Sequence, residues 1–158
     1  MIGSRGGIRD AEAGLSTLTR GGFDMAVKSV TRTQVIPYIF YRDVPAALER
    51  LSRAFGFTER MRTQTPRGGT HGEMLVGDQL IMMGQGSSQL RMQSVSETKV
   101  ATQGVFVHLS DVDAHYERAR AAGAQIDKPP EDLPYGRSYT VRDLEGHPWF
   151  FNTPSGED

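Results

Sequence analysis

The sequence repeats itself. Asp43-Val44, Ala46, Glu49-Arg50 and Ala54 recur as Asp111-Val112, Ala114, Glu117-Arg118 and Ala122, each residue 68 positions after its counterpart. An internal repeat constrains a chain strongly. Each copy is one supersecondary unit that cannot bury its apolar face alone and must pack against its twin. At 158 residues the chain has room for one domain built from two such halves.

The order of elements recurs with the residues. QVIPYIFYR, residues 34–42, is β-branched and aromatic and predicts a strand. Asp43 stands at an N-cap position, Pro45 in the first turn and Gly56 at the stop. Between them Ala47, Leu48, Leu51, Ala54 and Phe55 follow helical spacing. FTERMRTQ, THGEMLV and DQLIMMG then read as three strands, divided by PRGG and by Gly77-Asp78. GVFVHLS begins the series again. A helix in DVDAHYERARAAG ends at Gly123, and AQI, RSYTVR and HPWFFN supply three more strands. The pattern is β-α-β-β-β twice over, an α+β architecture with modules at 33–84 and 102–153. Between the modules, residues 85–100 are polar and unpatterned, which predicts a functional or mobile loop.

Residues 1–30 are rich in glycine and poor in bulky apolar side chains. They read as an extension outside the core, with a short helix at Asp10–Leu18 and with residues 1–24 dispensable for folding. Residues 31–158 then form the single domain.

Composition narrows the function. With 18 basic and 19 acidic residues and no basic cluster, we expect neither a nucleic-acid partner nor an acidic membrane surface. The absence of cysteine excludes disulfides, thiolate metal sites and cysteine nucleophiles. Without an apolar run of about 18 residues or a visible secretory signal, a soluble, cytoplasmic protein is expected.

Two stretches carry a resemblance. PYIFYRDVPAALERLSRAFGF resembles the first strand and helix of the glyoxalase and bleomycin-resistance branch of the vicinal oxygen chelate superfamily. YGRSYTVRDLEGHPWFF resembles its closing hairpin, where a Gly-aromatic segment leads into Asp-x-x-Gly-x-x-Trp. The resemblance spans roughly residues 33–153 and implies tandem βαβββ modules in an incompletely closed eight-stranded barrel around a cavity. It does not imply one reaction, because the superfamily hosts unrelated chemistries.

Metal-dependent members hold four ligands, His or Glu, two from each module. The resemblance puts these positions at Ile36, Met82, Gly104 and Phe150. None offers an imidazole or a carboxylate, so no metal and no other cofactor is expected.

Strand alternation assigns the side chains that share a face with those positions. They are Tyr38 and Phe40; Phe106 and His108; Pro148 and Asn152; and Leu80. These residues either line a ligand cavity, with Tyr38, His108 and Asn152 as polar handles, or fill the barrel as packed core. Arg137, ahead of its strand, reaches the cavity rim or is a surface arginine. His71 and Glu73 share a strand face, either as an acid–base pair or as solvated surface. With His108 they are the catalytic candidates. His115 is expected in solvent, His147 in a turn, and Trp149 opposite Phe150 against a helix or a subunit contact.

The resemblance and the aromatic lining together imply a metal-free protein that sequesters a small apolar or aromatic molecule, as bleomycin-resistance proteins do. The alternative is a glyoxalase-like lyase or isomerase, or another small-molecule enzyme of the superfamily. The resemblance also implies a homodimer.

Overall fold

The computed structural model describes residues 33–156. The expectations for residues 1–30, including the helix at Asp10–Leu18, lie outside the described residues. The elements run β1 (Tyr38–Tyr41), α1 (Val44–Phe55), β2 (Thr58–Gln64), β3 (Thr70–Val76), β4 (Gln79–Gln85), α2 (Val95–Thr98), β5 (Val105–His108), α3 (Val112–Ala121), β6 (Gln125–Leu133), β7 (Gly136–Arg142) and β8 (Pro148–Pro154).

Each module folds as one four-stranded sheet, in the orders β1-β4-β3-β2 and β5-β8-β7-β6. The first and last strands of each module pair in parallel, and the other pairs are antiparallel. The repeat is kept in the register. Tyr38 pairs with Met82, and Phe106 pairs with Phe150, both positions advanced by 68 residues. The two sheets are separate and do not close into a continuous barrel.

The helices form where the caps predicted them. Asp43 accepts a hydrogen bond from the Ala46 amide at 3.0 Å, and Asp111 accepts one from Ala114 at 2.9 Å. α1 ends at Gly56, whose φ of 72° is the left-handed conformation that glycine adopts without strain. α1 buries Leu48, Leu51 and Phe55 against Ile39, Tyr41, Met74, Ile81 and Met83 of its sheet. Gly72 permits this approach, since a β-carbon there would sit 3.0 Å from the Leu48 methyls.

The modules share one core. Phe55 packs on Trp149 and Phe151 at centroid distances of 5.7 and 5.1 Å, and Phe57 packs on Trp149 at 5.3 Å. Full burial of side chains this size stabilises by about 1.5–3 kcal/mol each. Trp149 is therefore an internal joint between modules.

Three expectations are corrected. The strand begun by AQI continues to Leu133, through Pro129 and Pro130, because β6 is an edge strand with bulges after Ile126 and Lys128. His115 is not in solvent. Its Nε2 lies 3.0 Å from the Phe55 carbonyl and its Nδ1 lies 2.7 Å from the Tyr139 hydroxyl. The 85–100 segment is not a free loop. Ser94 caps α2, is completely buried, and donates its hydroxyl to Glu145.

Candidate ligand site on the open sheet faces

Each sheet turns one face to the helices and leaves the other uncovered. On β1, Ile39 and Tyr41 are buried beneath α1 while Tyr38 stays 45% exposed. On β5, Val105 and Val107 pack against the core while Phe106 stays 50% exposed. Strand parity thus puts Tyr38, Phe40, His71, Glu73 and Met82 on the open face of the first sheet. Phe106, His108 and Phe150 stand on the open face of the second.

Both faces carry an aromatic pair over a glycine. Tyr38 lies 4.9 Å from Phe40 and crosses Gly84, where a β-carbon would come within 2.6 Å of its hydroxyl. Phe150 is stacked parallel to Phe106, 6.4 Å away with planes 14° apart, and covers Gly104. A β-carbon at Gly104 would lie 2.6 Å from the Phe150 ring. The glycines leave room for Tyr38 and Phe150 against the backbone, and each pair, the first tilted by 35° and the second nearly parallel, forms an aromatic platform.

A cleft of about 640 Å³ joins the platforms, lined by Tyr38, Phe40, Gly104, Phe106, His147 and Pro148, with Val95 and Val100 from the 85–100 segment as a wall. A second cleft, about 820 Å³, runs past Leu80, Phe106 and His108. Phe106 borders both. Such concavities, lined by apolar and polar side chains together, are a usual setting for small-molecule binding.

Sequence reasoning missed two buried carboxylates behind the cleft, of which Glu145 holds the 85–100 wall. Glu145 accepts hydrogen bonds from the Arg42 and Asp43 amides at 2.7 and 2.8 Å, and from the hydroxyls of Ser94 and Ser96. Burial pushes its carboxyl up, but these donors together outweigh burial and hold it below the usual carboxylate range. Asp143 accepts from the Tyr41 hydroxyl at 2.6 Å and the Trp149 indole at 3.1 Å. Burial, then the Asp143 charge, raises Tyr41 well above an ordinary phenol. The signal in sequence was the tight Asp143-Leu144-Glu145-Gly146 turn, too short to leave either carboxylate far from the sheet. Nothing local named their partners, which lie up to 103 residues away.

A polar chain crosses the first open face. Arg60 pairs with Glu73 at 2.8 Å, Glu73 with His71 Nε2 at 3.5 Å, and His71 Nδ1 with the Tyr38 hydroxyl at 3.3 Å. The two catalytic candidates on β3 are thus in contact with each other and with Tyr38. His108 is exposed at the end of β5, edge-on to Phe106 at 5.4 Å, so it is not a core histidine.

Two ligand-contact expectations are corrected. Arg137 points to the helix side of its sheet, where Asp113 and Asp132 hold it at 2.8 and 3.0 Å, and these carboxylates raise its pKa. Asn152 is fully buried instead of open to the cleft, its Nδ2 donating to the Arg137 carbonyl at 3.3 Å and its Oδ1 without a partner among the described residues.

The metal positions do not fit a metal. Ile36 and Gly104 precede β1 and β5, while Met82 and Phe150 sit on β4 and β8. Among the described residues no three His, Asp or Glu side chains converge on a common point. Among them, too, no helix is long and apolar enough to cross a membrane.

The family model described as Glyoxalase/Bleomycin resistance protein/Dioxygenase superfamily matches residues 29–151. Among solved structures, TioX from Micromonospora sp. ML1 is 35% identical with a TM-score of 0.60, over 80% of this chain and 99% of that one. The fosfomycin resistance protein FosX from Mesorhizobium loti shares the fold at 19% identity and a TM-score of 0.59, over 78% of this chain and 92% of that one. An uncharacterized protein of Mycobacterium tuberculosis is 29% identical over 126 residues, which is 77% of this chain and 74% of that protein. The chain belongs to the glyoxalase/bleomycin resistance protein/dioxygenase superfamily.

Proposed function

We propose that this protein binds planar apolar or aromatic small molecules without a metal ion, sequestering them as bleomycin-resistance proteins sequester their ligand. The observation that carries the reading is the pair of aromatic platforms on helix-free sheet faces, Tyr38 with Phe40 and Phe106 with Phe150, in which Tyr38 and Phe106 are left half-exposed. Apolar faces of this kind are costly to leave in water and mark binding surfaces. Side chains at the four family metal positions supply no hard donor, which argues against metal-dependent lyase, isomerase and dioxygenase chemistry.

We further propose a homodimer, in which a second copy covers part of the open faces and deepens the clefts. Two-fold pairing is the commonest way for identical chains to cover such a face. The test is native mass spectrometry of protein purified without added ligand. A dimer carrying a co-purified aromatic molecule supports both proposals, and a ligand-free monomer at micromolar concentration contradicts them. Conversion of the captured molecule by metal-stripped protein would favour the enzymatic reading instead.

A further inference from the structure

We propose that Arg60, Glu73, His71 and Tyr38 form a hydrogen-bond relay that makes the Tyr38 oxygen the polar contact of the site, accepting a hydrogen bond from a hydroxyl or N–H borne by an aromatic ligand. This deepens the aromatic-binding reading and rests on it.

The direction of the relay follows from what each group can do. The Arg60 guanidinium only donates, and it occupies one oxygen of Glu73 at 2.8 Å. The other Glu73 oxygen faces His71 Nε2 at 3.5 Å. A carboxylate only accepts, so Nε2 carries the ring proton. In a neutral imidazole the remaining nitrogen, Nδ1, accepts. The Tyr38 hydroxyl, 3.3 Å away, therefore donates to Nδ1. With its proton committed inward, the hydroxyl presents only lone pairs to the open face.

Geometry holds the hydroxyl there. The Tyr38 ring meets His71 edge-on at 80° and rests above Gly84, where any larger residue would collide with it. The inner end of the relay is buried, with the side chains of His71 and Glu73 only 19% and 9% exposed, while Tyr38 at its outer end stays 45% exposed. A site built to satisfy a ligand donor rejects an analogue lacking it, since the acceptor is left unpaired.

Two measurements test this. In ligand-free protein, long-range nitrogen–proton NMR correlations of His71 should show the Nε2–H tautomer at about pH 8, with the Nδ1 resonance moved in Tyr38→Phe. An Nδ1–H tautomer, or a Tyr38→Phe spectrum unchanged at Nδ1, overturns the relay whatever the ligand. In the second, naphthol and methoxynaphthalene are titrated while the Gly84 amide is followed. At about pH 8 naphthol should bind roughly 2- to 10-fold tighter, the range of one net hydrogen bond. The preference should be absent in Tyr38→Phe, which keeps the ring. Equal affinities in the wild type overturn this proposal and leave aromatic binding standing; binding of neither probe overturns both.

Discussion

Arg50 and Arg118 each cap the helix of the other module. Arg118 donates to the Ser52 and Arg53 carbonyls at the end of α1, and Arg50 donates to the Gly123 carbonyl just beyond α3, at 2.6 Å. The two arginines are 68 residues apart, so the duplication is expressed as a reciprocal exchange across the module interface. A cation at a helix C-terminus satisfies orphan carbonyls and complements the helix dipole. Arg118→Ala should cost about 0.5–1 kcal/mol in urea unfolding. Gly56→Ala should cost more, roughly 1–2 kcal/mol from the left-handed backbone, and its β-carbon would also meet the Arg118 guanidinium at 2.7 Å. In an Arg118→Ala background that second cost disappears. Equal penalties for Gly56→Ala in both backgrounds would show that the arginine gives way freely.

Glu145 ties β1, the start of α1 and the 85–100 segment to the β7–β8 turn. Glu145→Gln should lower stability at pH 7 by about 2 kcal/mol, since hydrogen bonds to a charged acceptor are the strong ones. The folded pKa is held below the ordinary value of about 4.3, so the contribution is complete above that value. It is lost as pH falls through the folded pKa. Wild type and variant should therefore converge in acid. A stability difference that persists unchanged at about pH 3, below the ordinary glutamate range, would contradict the assignment. Hydrogen exchange of residues 94–98 should also speed up in the variant.

His115 is neutral at pH 7 because burial, reinforced by the Arg118 charge, lowers its pKa more than the Phe55 carbonyl raises it. The unfolded chain then takes up the proton first. Stability should fall as pH drops below about 6.5. His115→Gln should lose roughly 1 kcal/mol at pH 7 and flatten the stability profile between about pH 5 and pH 7. An NMR titration placing His115 above the ordinary imidazole value of about 6.5 would contradict this.

These residues also show where sequence reading reaches and where it stops. The Asp43 and Asp111 caps, the Gly56 stop and the repeated order of elements were legible because capping and periodicity are local chemistry. Strand alternation placed Tyr38, Phe106 and Phe150 on a face away from the helices and Trp149 toward them. β6 was read too short because Pro129 and Pro130 disguise a strand, and only its edge position explains their tolerance. His115 was misread although Val112, His115 and Ala119 share a helical stripe, a signal that a polar side chain obscured. Arg137 has the same parity as Tyr139 and Val141, and that parity places it on the helix side. Tyr41, Arg42, Asp43 and Ser94, which bind Asp143 and Glu145, come from distant segments that no local pattern encodes.

Phe150→Glu should not create a metal site, since it would restore one ligand where catalytic zinc sites use about three. Phe150 is only half-buried, so a carboxylate there stays partly hydrated and the variant should remain folded. The expected stability loss is about 1 kcal/mol, from lost ring burial against Phe106. Inductively coupled plasma analysis should find no stoichiometric divalent metal in either protein. A full equivalent of zinc, nickel, manganese or iron in the wild type would contradict the metal-free reading.

The most direct test of the account is calorimetric titration of chelator-treated protein with a planar aromatic compound, repeated with Phe106→Ala. Saturable binding is expected without metal, unchanged when zinc or manganese is added, and weakened at least about tenfold by loss of a ring that borders both clefts. Binding or turnover that appears only after a divalent metal is added would contradict it.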